Sequence, residues 1–169
     1  HGVTVACCPA SNLKLASGYA NVPKMLKSGI NVALGTDGAA SNNNLNIMQD
    51  MYLFGVVYKG YFRDPTIITP AEVLHAATRA GALSQGRDDS GLLAVGMRAD
   101  LCVLNTDTPQ FTPMTSAACN VVYAAQGADI RMTMVDGEVL YRDGEFKTID
   151  IEKVKAEVQR RTDSILSRL

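Results

Sequence analysis

The chain has 169 residues, 47% of them hydrophobic, and its formal net charge at pH 7 is −1. That length allows one or two domains, and the hydrophobic content is sufficient for a buried core. A net charge close to zero gives no reason to expect nucleic acid or an anionic membrane as a partner, and no apolar run or signal peptide points to a membrane or to export.

The four cysteines, Cys7, Cys8, Cys102 and Cys119, form no CxxC pair. Their spacing and low density argue against a zinc ribbon and against the disulfide framework of a small secreted domain. We therefore expect a reduced, cytoplasmic setting, with Cys7 and Cys8 as small buried thiols.

The first predicted elements form a strand–helix–strand unit. Residues 3–7 are a compact β-type run that Pro9 stops, and residues 22–28 form a short helix that Gly29 ends. Residues 32–34 are a short apolar run typical of a buried strand. This order of elements predicts two parallel strands in one sheet.

A loop of small and polar residues follows the second strand. The strand breaks at Gly35, and Asp37 stands directly before Gly38. Glycines beside a strand end allow the sharp turn that presents a side chain to a cavity. In a parallel barrel, chemistry takes place at the carboxyl ends of the strands, which is where Asp37 stands. A lone aspartate beside glycines is ordinarily a turn residue, so both interpretations are open at this point.

Short polar residues also follow the first strand. Ser11 and Asn12 follow Pro9 and Ala10, in a segment predicted as a tight loop. Because such side chains bond readily to nearby backbone, a loop-fixing role and a role in shaping a pocket are both open.

Two helices are predicted between the Asp37 loop and residue 90. Residues 45–58 are apolar nearly all round, which is typical of a helix buried on most sides. Thr69, Pro70 and Glu72 indicate a capping box that starts a helix running to about residue 82. His75 lies inside this helix, where a single histidine is more often structural than a metal ligand.

From residue 92 onwards the pattern is that of β-strands. Asp136-Gly137 between two apolar runs indicates a hairpin, and Asp143-Gly144 indicates a second turn. Asp150 then opens a helix with one apolar stripe, which is predicted to pack on a partner surface. The predicted strands are residues 100–104, 121–125, 132–135 and 138–141.

Three segments resemble the amidohydrolase superfamily, most closely its branch of methylthioadenosine/S-adenosylhomocysteine deaminases and chlorohydrolases. They are PASNLKLASG at 9–18, GTDGAASNN at 35–43 and GLLAVGMRADLCVL at 91–104. The resemblance implies an α/β fold that is the C-terminal part of a (β/α)8 barrel, with its last two strand–helix units, plus part of a small β-sandwich and a C-terminal helix. The implied division is 1–90 for the barrel part, 91–149 for the sandwich part and 150–169 for the helix.

The same resemblance implies hydrolytic deamination of a purine-type substrate such as S-adenosylhomocysteine or methylthioadenosine, with one Zn²⁺ as cofactor. Zinc lowers the pKa of its bound water, and a carboxylate can accept the proton of the attacking water. Asp37 matches the family residue that is both metal ligand and general base. The implied substrate-binding residues are Ser11, Asn12, Ser41 and Asn42.

The zinc site is expected to be incomplete in this chain. Catalytic zinc sites typically use three protein ligands plus water, whereas the chain offers Asp37, His1 and His75, and the family's other ligands fall upstream. We therefore expect no stable zinc binding by this chain alone. Besides a small-molecule substrate, the expected partner is the missing N-terminal portion of the barrel or a homo-oligomer.

The sequence departs from the family pattern at three positions. Cys7 stands where relatives usually have histidine, and Asn46 and Gln49 stand where close relatives often have acidic residues. One alternative function is that of a non-catalytic fragment acting as an assembly module. Another is a hydrolase of the same superfamily directed at guanine or at triazines.

Overall fold

The computed structural model describes residues 2–168, so His1 lies outside the described residues. The mixture of helices and strands confirms the α/β class. The strands are β1 (Thr4–Cys7), β2 (Asn31–Leu34), β3 (Leu101–Leu104), β4 (Ile130–Val135), β5 (Glu138–Arg142) and β6 (Glu145–Phe146). The helices are α1 (Pro9–Lys14), α2 (Val22–Lys27), α3 (Ala39–Asn42), α4 (Ile47–Phe62), α5 (Pro70–Ala77), α6 (Arg79–Ser84), α7 (Ala117–Tyr123) and α8 (Ile151–Leu166), with 3-10 turns at Pro109–Phe111 and Gly127–Asp129. Across residues 2–168, no helix is both long and apolar enough to cross a bilayer.

Strands β1 and β2 pair in parallel, in the register Thr4↔Asn31 to Cys7↔Leu34, as the strand–helix–strand pattern predicts. Helix α2 connects the two strands and packs on β2. Gly35 N donates to Cys7 O (2.9 Å), so the pairing continues to the carboxyl ends of both strands. The segments that follow β1 and β2 therefore leave from the same edge of the sheet.

The segment after β1 is a helix, α1, rather than the predicted loop. Pro9 occupies its first turn, where the missing proline N–H removes no helical hydrogen bond. Asn12 N donates to Cys8 O (3.0 Å) and Leu15 N donates to Ser11 O (3.0 Å). A helix this short is marginal on its own, so its packing against α3 and α4 stabilises it, and the sequence gives little indication of it.

Helix α4 forms the centre of the core. Phe54 and Tyr58 are buried on its inner face, while Tyr52 is exposed, so the helix is more amphipathic than its apolar sequence predicts. A Cβ at Gly55 would lie 2.9 Å from Tyr123 Cε1, so this glycine allows α7 to approach α4 closely.

The predicted capping box opens helix α5. Thr69 Oγ1 accepts from Glu72 N (3.3 Å), and Glu72 Oε2 accepts from Thr69 N (2.7 Å). The single helix predicted to about residue 82 is instead interrupted at Thr78, and α6 follows. Thr78 Oγ1 donates to Leu74 O (2.7 Å), a local side-chain bond that competes with continuation of the helix.

The second sheet is antiparallel, with the strand order β3-β4-β5-β6. Asp136 and Gly137 both have positive φ (52° and 82°), which is the backbone conformation of the predicted hairpin turn between β4 and β5. Asp143 and Gly144 (49° and 93°) form the second predicted turn, between β5 and β6.

The strand predicted over residues 121–125 is wrong, because α7 extends into this segment. Ser116 caps α7 by accepting a hydrogen bond from Cys119 N (3.3 Å). Val121 and Val122 are β-branched and favour a strand locally, but Val122 is buried in the core, and its packing decides the conformation.

Asp150 caps the start of helix α8, its Oδ1 accepting from Lys153 N (3.0 Å). None of the side chains of α8 is buried. Its apolar stripe, which includes Val154, Val158 and Ile165, is exposed, so residues 2–168 do not supply the surface on which the stripe was predicted to pack.

Candidate functional site

Asp37 lies just after β2, in a backbone conformation with positive φ (60°). Gly38 N donates to Asp37 Oδ1 (2.8 Å), which is the local bond of a turn residue. Ser11 Oγ, on α1, donates to Asp37 Oδ2 (2.7 Å) across 26 positions of sequence. The carboxylate is therefore held by tertiary structure as well as by its own turn.

Hydrogen bonding favours the ionised form of Asp37. The Ser11 hydroxyl, followed by the Ser41 hydroxyl and the Gly38 N–H, lowers the pKa of Asp37 below its ordinary value. Ser41 Oγ also donates to Gly38 O (3.0 Å), and because a hydroxyl has a single proton, it serves one of these acceptors at a time. An exposed, ionised carboxylate of this kind suits one ligand position of a divalent metal.

Asn42 holds the Asp37 loop from the inside. Its side chain is buried, and Nδ2 donates both to Thr36 O (2.7 Å) and to Asp50 Oδ2 (3.1 Å). Both amide protons of Asn42 are therefore used within the chain, and one of them fixes the peptide directly before Asp37.

The four predicted substrate-binding residues differ in burial. Ser11 and Asn42 are buried, and each bonds to the Asp37 loop. Asn12 and Ser41 are half-buried. The structure brings Ser11 to Asp37, while contact of any of the four with a substrate stays a prediction.

Asp50 belongs to this neighbourhood and was missed by the sequence analysis. It is completely buried on α4 and accepts from Ala10 N (3.0 Å) and Asn42 Nδ2 (3.1 Å). Burial raises the pKa of Asp50, and the bonds from Ala10 and Asn42 oppose that shift. The indication available in the sequence was a single acid within an otherwise apolar helix, since aspartate is almost never fully buried without partners.

The three positions at which the sequence departs from the family pattern are not hydrogen-bonded to Asp37 in the structure, and lie in the core or on α4 and its cap. Cys7 is buried, and its Sγ lies 3.6 Å from Tyr58 Oη, within the core. Cys8 is half-buried rather than buried. Asn46 caps α4, its side chain accepting a backbone N–H two residues on (3.1 Å), and Gln49 is exposed.

The described residues supply one candidate metal ligand at this site. His75 is exposed on α5. Within residues 2–168, no group of three or more His, Cys, Asp or Glu side chains is arranged to hold a metal ion. Asp37 thus fits a zinc site as one ligand among others that these residues do not provide.

Comparison with known proteins identifies the family. A model of the amidohydrolase family matches residues 1–140. A 5-methylthioadenosine/S-adenosylhomocysteine deaminase of Acetivibrio thermocellus is 45% identical over 166 residues, which are 98% of this chain and 38% of that protein. A 5'-deoxyadenosine deaminase of Methanosarcina mazei is 40% identical over 99% of this chain and 39% of its own length. The chain therefore spans well under half the length of these relatives.

Solved structures agree with the sequence comparison. An adenosine deaminase from Xanthomonas campestris with bound zinc has a TM-score of 0.95 and 31% identity, covering 98% of this chain and 38% of that one. Atrazine chlorohydrolase from Arthrobacter aurescens, complexed with zinc, has a TM-score of 0.88 and 27% identity, covering 94% and 36%. These matches confirm the resemblance found in the sequence, and the chain belongs to the amidohydrolase family.

Proposed function

We propose that this chain is the C-terminal part of a zinc-dependent amidohydrolase that deaminates a purine-type substrate, such as S-adenosylhomocysteine or methylthioadenosine. The observation that carries the proposal is the Ser11–Asp37 pair at the carboxyl edge of β1 and β2. Relatives named as deaminases of adenosine-type nucleosides support the choice of substrate.

The fold assigned to the complete protein is a (β/α)8 barrel with a small β-sandwich. On this proposal, β1 and β2 with their helices are the last two strand–helix units, within residues 1–90. The sheet β3–β6 belongs to the sandwich part, residues 91–149, and α8 lies in residues 150–169. The parallel pairing of β1 with β2 and the antiparallel second sheet support this division.

Asp37 carries the proposed chemistry. When bound, zinc supplies a water whose pKa is lowered towards neutrality. The Asp37 carboxylate, an acceptor at neutral pH, would ligate the metal and take the proton of the attacking water. That proton would leave with the amine as ammonia, so water and amine exchange places at the ring carbon. Ser11 keeps Asp37 Oδ2 in place and favours its ionised form.

The substrate contacts assigned to Ser11, Asn12, Ser41 and Asn42 remain part of the proposal. The half-buried Asn12 and Ser41 have side chains partly open to solvent, so they are the better candidates for direct contact. Ser11 and Asn42 support the Asp37 loop and would shape the pocket through it.

The partner of this chain would be the rest of the barrel. Two strands cannot close a barrel, and among residues 2–168 no further strand pairs with either lateral edge of the two-stranded sheet. A homo-oligomer that covers the same edges is the alternative arrangement. A triazine-directed hydrolase is the second candidate function, which the likeness to atrazine chlorohydrolase favours.

The test is Asp37→Asn in the complete polypeptide, defined as this chain together with the preceding barrel residues. The substitution keeps the size of the side chain and removes its charge and its basic oxygen. We expect kcat for ammonia release from methylthioadenosine, S-adenosylhomocysteine or adenosine to fall by at least about 10²–10⁴-fold, the usual contribution of a general base. Zinc content is measured on the same samples.

Asp100→Asn is the control. Asp100 Oδ1 accepts from Asp136 N (2.7 Å) in the second sheet, and the residue has no assigned part in the chemistry. Its kcat should stay near that of the unsubstituted protein, with folding checked by circular dichroism. Normal turnover in Asp37→Asn contradicts the proposal. Hydrolysis of triazines but not of purines supports the second candidate, and no hydrolysis by the complete, zinc-loaded polypeptide supports an assembly module.

A further inference from the structure

Asp50 is a buried carboxylate whose hydrogen bonds are made by neutral N–H groups. It is 0% exposed, on the inner face of α4. Transfer of an ionised carboxylate into a protein interior is unfavourable unless hydrogen bonds compensate for the lost hydration. The two N–H donors, Ala10 N and Asn42 Nδ2, are 40 and 8 positions away from Asp50 in the sequence.

Both donors lie in the segments that hold the candidate catalytic pair. Ala10 directly precedes Ser11, which donates to Asp37 Oδ2. Asn42 donates to Thr36 O, directly before Asp37. The Asp50 carboxylate therefore joins α1, which carries the Ser11 hydroxyl, to the loop that carries Asp37.

The direction of these bonds depends on Asp50 being an acceptor at both oxygens. Asn42 uses its NH₂ group for Thr36 O and for Asp50 Oδ2. If the amide of Asn42 were rotated by half a turn, its oxygen would face the Thr36 carbonyl, and two acceptors would oppose each other. An amide at position 50 would place a donor against the N–H of Ala10 or the NH₂ of Asn42. A carboxylate at position 50 accepts from both N–H groups and lets the Asn42 amide keep the orientation in which it also donates to Thr36 O.

We propose that Asp50 is a positioning residue for Asp37, because it fixes α1 and the loop around Thr36 relative to each other and so sets the contact between Ser11 and Asp37. This inference rests on the proposed catalytic function of Asp37. Asp50 acts through Ala10, Asn42 and Ser11, and it does not touch the reacting atoms.

Asp129 provides a matched control within the same chain. It is also a buried carboxylate, 6% exposed, and it accepts from one backbone amide, Gln126 N (2.8 Å), and one side-chain amide, Gln110 Nε2 (2.8 Å). Its hydrogen bonds join two 3-10 turns and do not involve the Asp37 loop. Asp50→Asn and Asp129→Asn thus each remove one carboxylate oxygen that accepts from a backbone or side-chain amide, at a buried position.

The first experiment measures kcat, KM, zinc content and thermal midpoint for both variants in the complete polypeptide. We expect Asp50→Asn to lower kcat by about 10- to 10²-fold, the size of effect that a small displacement of a catalytic group produces, with a smaller change in KM. Asp129→Asn should lower the thermal midpoint but leave kcat near normal. An equal effect of the two variants on kcat overturns the proposal.

The second experiment is a double-mutant cycle between Asp50→Asn and Ser11→Ala. If Asp50 acts through the Ser11–Asp37 contact, the double variant loses little more kcat than Ser11→Ala alone, because residues in one network are not additive. A purely structural role for Asp50 gives additive losses. If Asp50→Asn does not fold, Asn42→Ala cuts the same connection, and unchanged kcat in that variant overturns the proposal.

The outcomes separate this inference from the proposed function. Normal turnover in Asp37→Asn removes the catalytic assignment whatever Asp50 does. An inactive Asp37→Asn, together with normal kcat in Asp50→Asn and Asn42→Ala, removes only the positioning role.

Discussion

The region that contains Asp37 and the region from residue 91 onwards differ in how they bury apolar surface. Most of the buried core comes from residues 7–80, and Phe111, Val122 and Ala125 are the later hydrophobic residues that join it. None of the described hydrophobic side chains of β3–β6 or α8 is buried, and Leu93 and Val95 are almost entirely exposed. The geometry of the candidate site is thus set by contacts inside the chain, whereas the second region leaves many of its apolar side chains exposed.

The largest expected effect comes from the core of the first region. Phe54 is 0% exposed on α4, so Phe54→Ala removes a fully buried ring and leaves a cavity. We expect a loss of about 3–5 kcal/mol in the free energy of unfolding of the chain, measured by denaturant titration with circular dichroism.

Val158→Ala is the counterpart in the second region. Val158 is 59% exposed on α8, and the change in the chain alone should stay within about 0.5 kcal/mol. If the two variants lose similar stability, the contrast in burial between the two regions is wrong. A large loss for Val158→Ala only in the complete polypeptide would show that α8 packs on residues outside this chain.

An intermediate effect is expected at the start of α5. Thr69→Ala removes the hydroxyl that accepts from Glu72 N and so disrupts the capping box. A loss of about 1 kcal/mol in the free energy of unfolding is expected, because the first turn of α5 loses a cap. Thr66→Ala serves as the control, because it removes a threonine hydroxyl that donates to Asp64 Oδ1 (2.7 Å) outside any helix. An equal loss of stability in the two variants would show that the cap contributes no more than an ordinary hydrogen bond at a turn.

The smallest expected effect is the pH dependence that the Glu157 carboxyl gives to the stability of α8. Arg160, and after it Arg161, lowers the pKa of Glu157 to about 2. A carboxyl whose pKa is lowered by folding stabilises the helix above the unfolded pKa and loses that contribution as the pH falls towards about 2. NMR titration of the Glu157 carboxyl should show a midpoint at about 2. Glu157→Gln should remove the part of the pH dependence of stability that comes from this carboxyl. A midpoint at the ordinary glutamate value contradicts the ion pairs.

Much of the fold could be predicted from local patterns. The parallel pairing of β1 and β2 follows from the order of strand, helix and strand. The hairpin at Asp136-Gly137 and the cap at Thr69 follow from side chains that suit one backbone conformation. In each case the deciding interaction lies within a few residues of sequence, which is why a local pattern is sufficient.

The errors occurred where distant contacts decide the structure. Val121 and Val122 favour a strand locally, but burial against the core keeps them in α7. Helix α1 depends on α3 and α4, and its own six residues do not indicate it.

The candidate site was likewise predictable only in the part that local sequence determines. Asp37 was identified from the glycines beside it and from a motif, whereas Asp50 gained meaning only when its donors at residues 10 and 42 were known.

The positive φ of Asp37 restricts which amino acids can occupy this position, before any chemistry is considered. A side chain with a Cβ meets the following carbonyl in the left-handed region, and only glycine, asparagine and aspartate adopt it routinely. Of these three, aspartate alone is an anion. The backbone therefore makes a glutamate an unfavourable replacement here, and it leaves asparagine and glycine as the substitutions by which loss of charge can be studied without added strain.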